Sequence, residues 1–124
     1  MDLQTPTWID WEHLTTADLA GGVPEHAVAL LPVAAVEQHG PHLPLGTDAI
    51  LTDAVVAAAR GKGSAVATVL RLPTQRIGLS PEHLAFPGTL SLEAEMVIAA
   101  WPAIGASAAR SGLRKLVILN GHGG

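Results

Sequence analysis

Cysteine is absent from the 124 residues. That excludes disulfides and thiolate metal sites, so any bound metal must use His and carboxylate ligands. Charge is scarce as well, at 15% of residues, and basic charge is scarcest, with seven Lys and Arg against eleven Asp and Glu. A net charge of −4 without a basic stripe argues against a nucleic-acid partner. Apolar runs are broken by Pro, Gly or charge before reaching spanning length, which argues against a membrane partner. The first 13 residues lack a basic region followed by an apolar core, so no signal peptide is visible and a cytoplasmic location is the default. No internal repeat is found.

What is present is apolar: 48% of residues are hydrophobic, enough to fill one core. "TTADLA" forms a short helix capped by Thr15 or Thr16, and "GGVPE" a turn. "HAVALLPVAAVE" (26–37) reads as a buried strand that ends or bulges at Pro32. "TDAILTDAVVAAARG" reads as a helix capped by Thr47 or Asp48. Its core face would carry Ile50, Leu51, Ala54, Val55 and Ala58, and Gly61 would close it. "SAVATVLRL" (64–72) is a second strand. A helix over about 91–111 follows, capped by Ser91, kinked by Pro102 and closed at Gly112. "LRKLVILN" is a third strand. The β-loop-α-β-loop-α-β order predicts a mainly parallel sheet with right-handed crossovers, and sites in such sheets lie beyond the carboxyl ends of the strands.

Three polar loops follow strands: "VEQHG", "GLSPEH" and "NGHGG". Glu37 and His39, two apart, point to one side of an extended segment. Asp48 enters the next helix, and His122 leaves the last strand. Carboxylate and imidazole donors suit zinc, manganese or iron, and an Asp able to bridge makes a two-metal site plausible. Glu-x-His alone is common, and Asp48 is equally a helix cap. His122 on the same rim shifts the balance toward a metal site. Ser80, Glu82 and His83 either line a substrate pocket and relay protons, or merely shape a turn. Asn120 suits a supporting role behind His122. His42 shapes the loop, His13 and His26 are surface or packing residues, and Trp8, Trp11 and Trp101 pack.

Taken together, "PVAAVEQHGPHLPLGTD", "GLSPEHLAFPGTLSL" and "LVILNGHGG" resemble the creatininase family, from about residue 28 to the end. The resemblance implies a three-layer α/β/α fold, a centre of two divalent metals (Zn, Mn or Fe), and hydrolysis of an amide C–N bond through metal-bound hydroxide. The substrate would be a small cyclic amide such as creatinine, a formamide, or a modified peptide as in mycofactocin maturation. By the same resemblance Glu37 binds one metal, His39 the other, Asp48 bridges and His122 completes the first set. Creatinine-hydrolysing members carry a glutamate ligand where this chain has Gly124. Relatives are about twice as long, in keeping with ordinary domain sizes, and assemble as hexamers. Residues 1–124 are therefore expected to be the N-terminal part of one such domain. The last ligand and the main acid/base would lie beyond Gly124. A truncated, non-catalytic fragment with weak metal binding is the alternative.

Overall fold

The computed structural model describes residues 1–64 and 66–124. Four strands, β1 (Trp8–Asp10), β2 (Val28–Val33), β3 (Val69–Arg71) and β4 (Leu116–Asn120), form one sheet in the order β1-β3-β2-β4. Every neighbouring pair is parallel. The α-helices among the described residues are α1 (Thr16–Leu19), α2 (Thr47–Gly61) and α3 (Ala94–Ala109), with short 3-10 turns at Trp11–His13 and Pro81–His83.

Alternation along the strands sorts the two faces. Ile9, Leu70, Ala29 and Leu31 lie on one face and cluster with Ala108 of α3 and with Leu113. Trp11 and Trp101 pack against this cluster. Asp10 and Arg71 lie on the other face and pair with Arg60 and Asp53 of α2. One long helix thus covers each face, giving the three layers that the resemblance implies around the parallel sheet that the alternating pattern predicts.

β2 lies between β3 and β4 and is apolar enough to be buried on both faces, with Ala29 through Val33 all buried. Pro32 lies inside it, one residue before its end. Even-numbered groups of β2 face β3: Val28 N–H donates to Thr68 O, and Leu30 O accepts from Leu72 N–H. The missing Pro32 N–H falls on that side, just beyond the end of β3, so no ladder bond is lost.

Several boundaries differ from expectation. The strand expected over 26–37 stops at Val33, because residues 34–37 bond to loops: Ala34 N–H to Gln75 O, Glu37 N–H to Leu45 O. The strand expected over 64–72 is only Val69–Arg71, and Ala65 lies outside the described residues. β4 begins at Leu116 rather than 113. β1 was not anticipated: three residues bounded by polar segments carry no visible alternation.

The helices show similar shifts. Gly46, not Thr47 or Asp48, is the N-cap of α2; Thr47 Oγ1 donates to Pro44 O (2.6 Å), and Asp48 faces two histidines. The buried stripe of α2 is Ala49, Thr52 and Val56, while Ile50, Leu51, Ala54, Val55 and Ala58 are exposed. The small stripe lets the helix lie close on the sheet. α3 starts at Ala94 with Glu93 at its N-cap, because Ser91 Oγ is taken by Ser80 N–H (2.8 Å). Pro102 sits inside an uninterrupted helix. Gly112 closes the turn after it in the left-handed region (φ 98°). α1 is capped as expected: Thr15 and Asp18 form a capping box, whose bonds from Thr15 hold the Asp18 carboxyl down at about 2.

Candidate metal centre

The end of β2, the start of α2 and the end of β4 meet at one rim. Glu37 and His39 arrive four and six residues after Val33. Asp48 is the second residue of α2. His122 follows Asn120, whose Oδ1 accepts the His122 N–H (2.9 Å) and fixes the turn. Gly121 makes that turn possible: its N–H bonds to Val33 O (2.9 Å), and a Cβ there would fall on Thr52 Oγ1 of α2. The absent side chain thus serves helix packing.

A third segment is stitched onto this rim. Leu90 N–H donates to Val36 O, Leu92 N–H to Gly78 O, and Gln38 N–H to Thr89 Oγ1. Gly78 lies so close to Ala34 that a Cβ would stand 2.5 Å from its carbonyl oxygen. These bonds bring Ser80, Glu82 and His83 beside Glu37.

Asp48 divides its carboxylate between two imidazoles. Oδ1 lies 3.0 Å from His39 Nε2, and Oδ2 lies 2.9 Å from His122 Nδ1. Glu37 Oε1 lies 3.3 Å from the same His122 nitrogen. The remaining ring nitrogens face backbone carbonyls: His39 Nδ1 meets Glu37 O (3.0 Å), and His122 Nε2 meets Leu79 O (3.0 Å). A carbonyl only accepts, so those nitrogens carry hydrogen, and each neutral ring turns its lone pair toward the carboxylates. A lone pair against a carboxylate needs a positive species between them, a proton or a metal. The Glu37 carbonyl, together with the Asp48 carboxylate, holds the His39 pKa above the ordinary imidazole value against opposing burial.

Glu37 is only 5% exposed, and its Oε2 is buried without a hydrogen-bond partner among the described residues. An unpartnered buried carboxylate oxygen is costly unless a cation meets it. Ligand atoms of Glu37, His39 and Asp48 lie within 4.8 Å of one another. The donor set therefore fits a divalent metal.

All four expected ligands, Glu37, His39, Asp48 and His122, are thus brought together. Of the expected substrate residues, His83 and Glu82 reach the rim: His83 Nε2 is 4.0 Å from Glu37 Oε2 and 4.0 Å from Glu82 Oε1. Ser80 is completely buried, with its Oγ unpartnered among the described residues. A side chain at Gly124 would emerge 3.1 Å from Glu82 Oε1. His42 is exposed on the loop, His13 is exposed near Asp10, and His26 bonds to Thr68 Oγ1. Sequence reasoning passed over Gln38, whose amide bonds both Gly40 N–H and His83. Its place between two proposed ligands was the available signal. Among the described residues no helix is long and apolar enough to cross a membrane.

Known proteins resemble this chain in sequence and in fold. The family model described as creatininase, creatinine amidohydrolase, matches residues 12–124. The chain is 39% identical over 107 residues to the mycofactocin precursor peptide peptidase of Mycobacterium ulcerans, covering 77% of this chain and 40% of the relative. It is 33% identical over 121 residues to the creatinine amidohydrolase of Pseudomonas putida, covering 94% and 42%. A solved manganese form of creatininase superposes with a TM-score of 0.73 at 33% identity, covering 94% of this chain and 46% of that one. The chain thus spans less than half the length of these relatives. On the sequence match, the shared sheet and the common fold, the chain belongs to the creatininase family.

Proposed function

We propose that this chain carries the metal-binding part of an amidohydrolase that cleaves a C–N amide bond. The observation that carries the reading is Asp48, which turns one carboxylate oxygen to His39 and the other to His122. That is the arrangement a bridging ligand needs. Glu37, Asp48 and His122 would hold one divalent metal, and His39 with Asp48 the second. Such metals supply Lewis acidity toward a carbonyl and acidify a water ligand. The chain's own residues orient the site: the carbonyls of Glu37 and Leu79 fix both imidazoles, and Asn120 holds the His122 turn. Glu82 and His83 face the substrate side, whereas Ser80 is buried and does not.

The similarity to a precursor peptide peptidase favours a short-peptide substrate, and that to a creatinine amidohydrolase a small cyclic amide. Zinc, manganese and iron all suit the donor set. We further propose that residues 1–124 are the N-terminal part of a longer domain that supplies a further carboxylate, the main acid/base and an oligomeric, hexamer-like assembly. Supporting this are the coverage of the relatives and the bare apolar edge of β4, where Leu116, Val117 and Ile118 are exposed. The same edge favours a second reading, a fragment that binds metal without turnover.

The test is incubation of manganese- or zinc-loaded protein with creatinine and with a short peptide, followed by mass spectrometry. Addition of one water across an amide, abolished by chelator and by Asp48→Asn, supports the amidohydrolase. Metal binding without product supports the fragment. Hydrolysis indifferent to both chelator and Asp48→Asn would sink the metal mechanism.

A further inference from the structure

Three histidines surround Glu37, and their hydrogen bonds are wired in two opposite ways. His39 and His122 each give one N–H to a backbone carbonyl and aim a lone pair at the carboxylates. His83 is the reverse. Its Nδ1 lies 2.9 Å from Gln38 Nε2. The Gln38 amide cannot be turned around freely, because its Oε1 accepts the Gly40 N–H at 3.0 Å. The NH2 end therefore faces His83 and donates to it. Nδ1 must accept, so the hydrogen of the neutral ring sits on Nε2.

That Nε2–H points to the rim. It stands 4.0 Å from Glu37 Oε2 and 4.0 Å from Glu82 Oε1, beyond hydrogen-bond reach of either. Among the described residues no acceptor takes it. Ligand atoms of Glu37, Glu82 and His83 do lie within 4.8 Å of one another, a spacing a cation could use. The tautomer opposes that use, since a metal needs the Nε2 lone pair that Gln38 has removed.

We propose that Gln38 is a positioning residue that reserves His83 Nε2–H as a hydrogen-bond donor to a ligand oxygen at the metal centre. The chemical class is an amide carbonyl or the carboxylate it becomes. Glu82, beside it and about half exposed, offers an acceptor to an adjacent N–H, so the pair matches the edge of an amide. The proposal rests on the metal-centre reading for where the ligand sits. The tautomer itself does not depend on that reading.

The experiment is a long-range 1H–15N spectrum of the histidine rings, with and without zinc, on the native chain and on Gln38→Glu. The carboxylate of the variant keeps the bond to Gly40 N–H but must accept from His83. The native protein is expected to show His83 protonated at Nε2, unchanged in type when zinc is added. Gln38→Glu is expected to move the hydrogen to Nδ1. Acetohydroxamate, a probe with a metal-seeking carbonyl oxygen, is expected to bind the zinc-loaded variant several-fold to about tenfold more weakly, the loss of one hydrogen bond. A native Nδ1–H tautomer, an unmoved hydrogen in Gln38→Glu, or zinc bound at His83 Nε2 would overturn the proposal. Equal acetohydroxamate affinity, or binding to neither protein, would overturn its donor role. Failure of the metal reading is read separately: His39 and His122 signals would then not respond to zinc.

Discussion

At the scale of single residues, chemistry here is set by what each side chain is denied. His39 cannot use Nδ1 for metal because Glu37 O occupies it, and Asp48 cannot cap its helix because two histidines claim it. The raised pKa of His39 gives a pH prediction. Below the ordinary imidazole range the ring is charged whether folded or unfolded, and its bonds to Glu37 O and Asp48 stabilise the metal-free fold. That stabilisation is lost as pH rises through the raised folded value. Metal binding runs the other way, because the ligand must be deprotonated. Zinc affinity should therefore fall as pH drops through that raised value, about tenfold per unit for one proton. Calorimetric titration across pH checks this. A pH-independent affinity would remove His39 from the ligand set. The four candidate ligands were legible in the sequence because residue type, loop position and the family resemblance together nominate them. Whether Asp48 caps or bridges was not, since both uses place Asp at a helix start. Gln38 was missed because its role depends on Gly40 and His83 folding around it.

At the scale of elements, the site depends on how closely the end of β4 approaches α2. Gly121 lies against Thr52, whose Oγ1 already donates to Asp48 O (2.7 Å). Gly121→Ala should force the two elements apart, costing about 1–3 kcal/mol in chemical denaturation as an overpacked contact. It should also weaken zinc binding, by displacing His122 from Asp48. Native stability and native zinc affinity in that variant would show that the approach is slack. The sheet was legible because β2 is a continuous apolar run. The packing face of α2 was not. Apolar residues ring much of that helix, and periodicity picks the bulkiest face. The sheet instead takes Ala49, Thr52 and Val56, small enough to let the backbone close in. β1 escaped because three residues hold too little alternation to signal a strand.

At the scale of the whole molecule, apolar surface gathers around β4. Leu116, Val117 and Ile118 are exposed on the edge strand, with Leu51 and Val55 of α2 on one side and Ile98 of α3 on the other. A bare, uncharged strand edge invites pairing with another chain. The 124-residue chain should self-associate with rising concentration, and Ile118→Lys should shift it toward monomer in sedimentation experiments. Identical sedimentation of the two would show that this edge is not sticky.

If Asp48 bridges two metals, both depend on its carboxylate. Elemental analysis of the purified, zinc-loaded protein beside the Asp48→Ala variant reads that dependence. The prediction is more than one zinc ion per native chain at saturating zinc, the second held more weakly because this chain gives it only His39 and Asp48, and loss of both in the variant, with circular dichroism unchanged. Metal content that survives Asp48→Ala would contradict it.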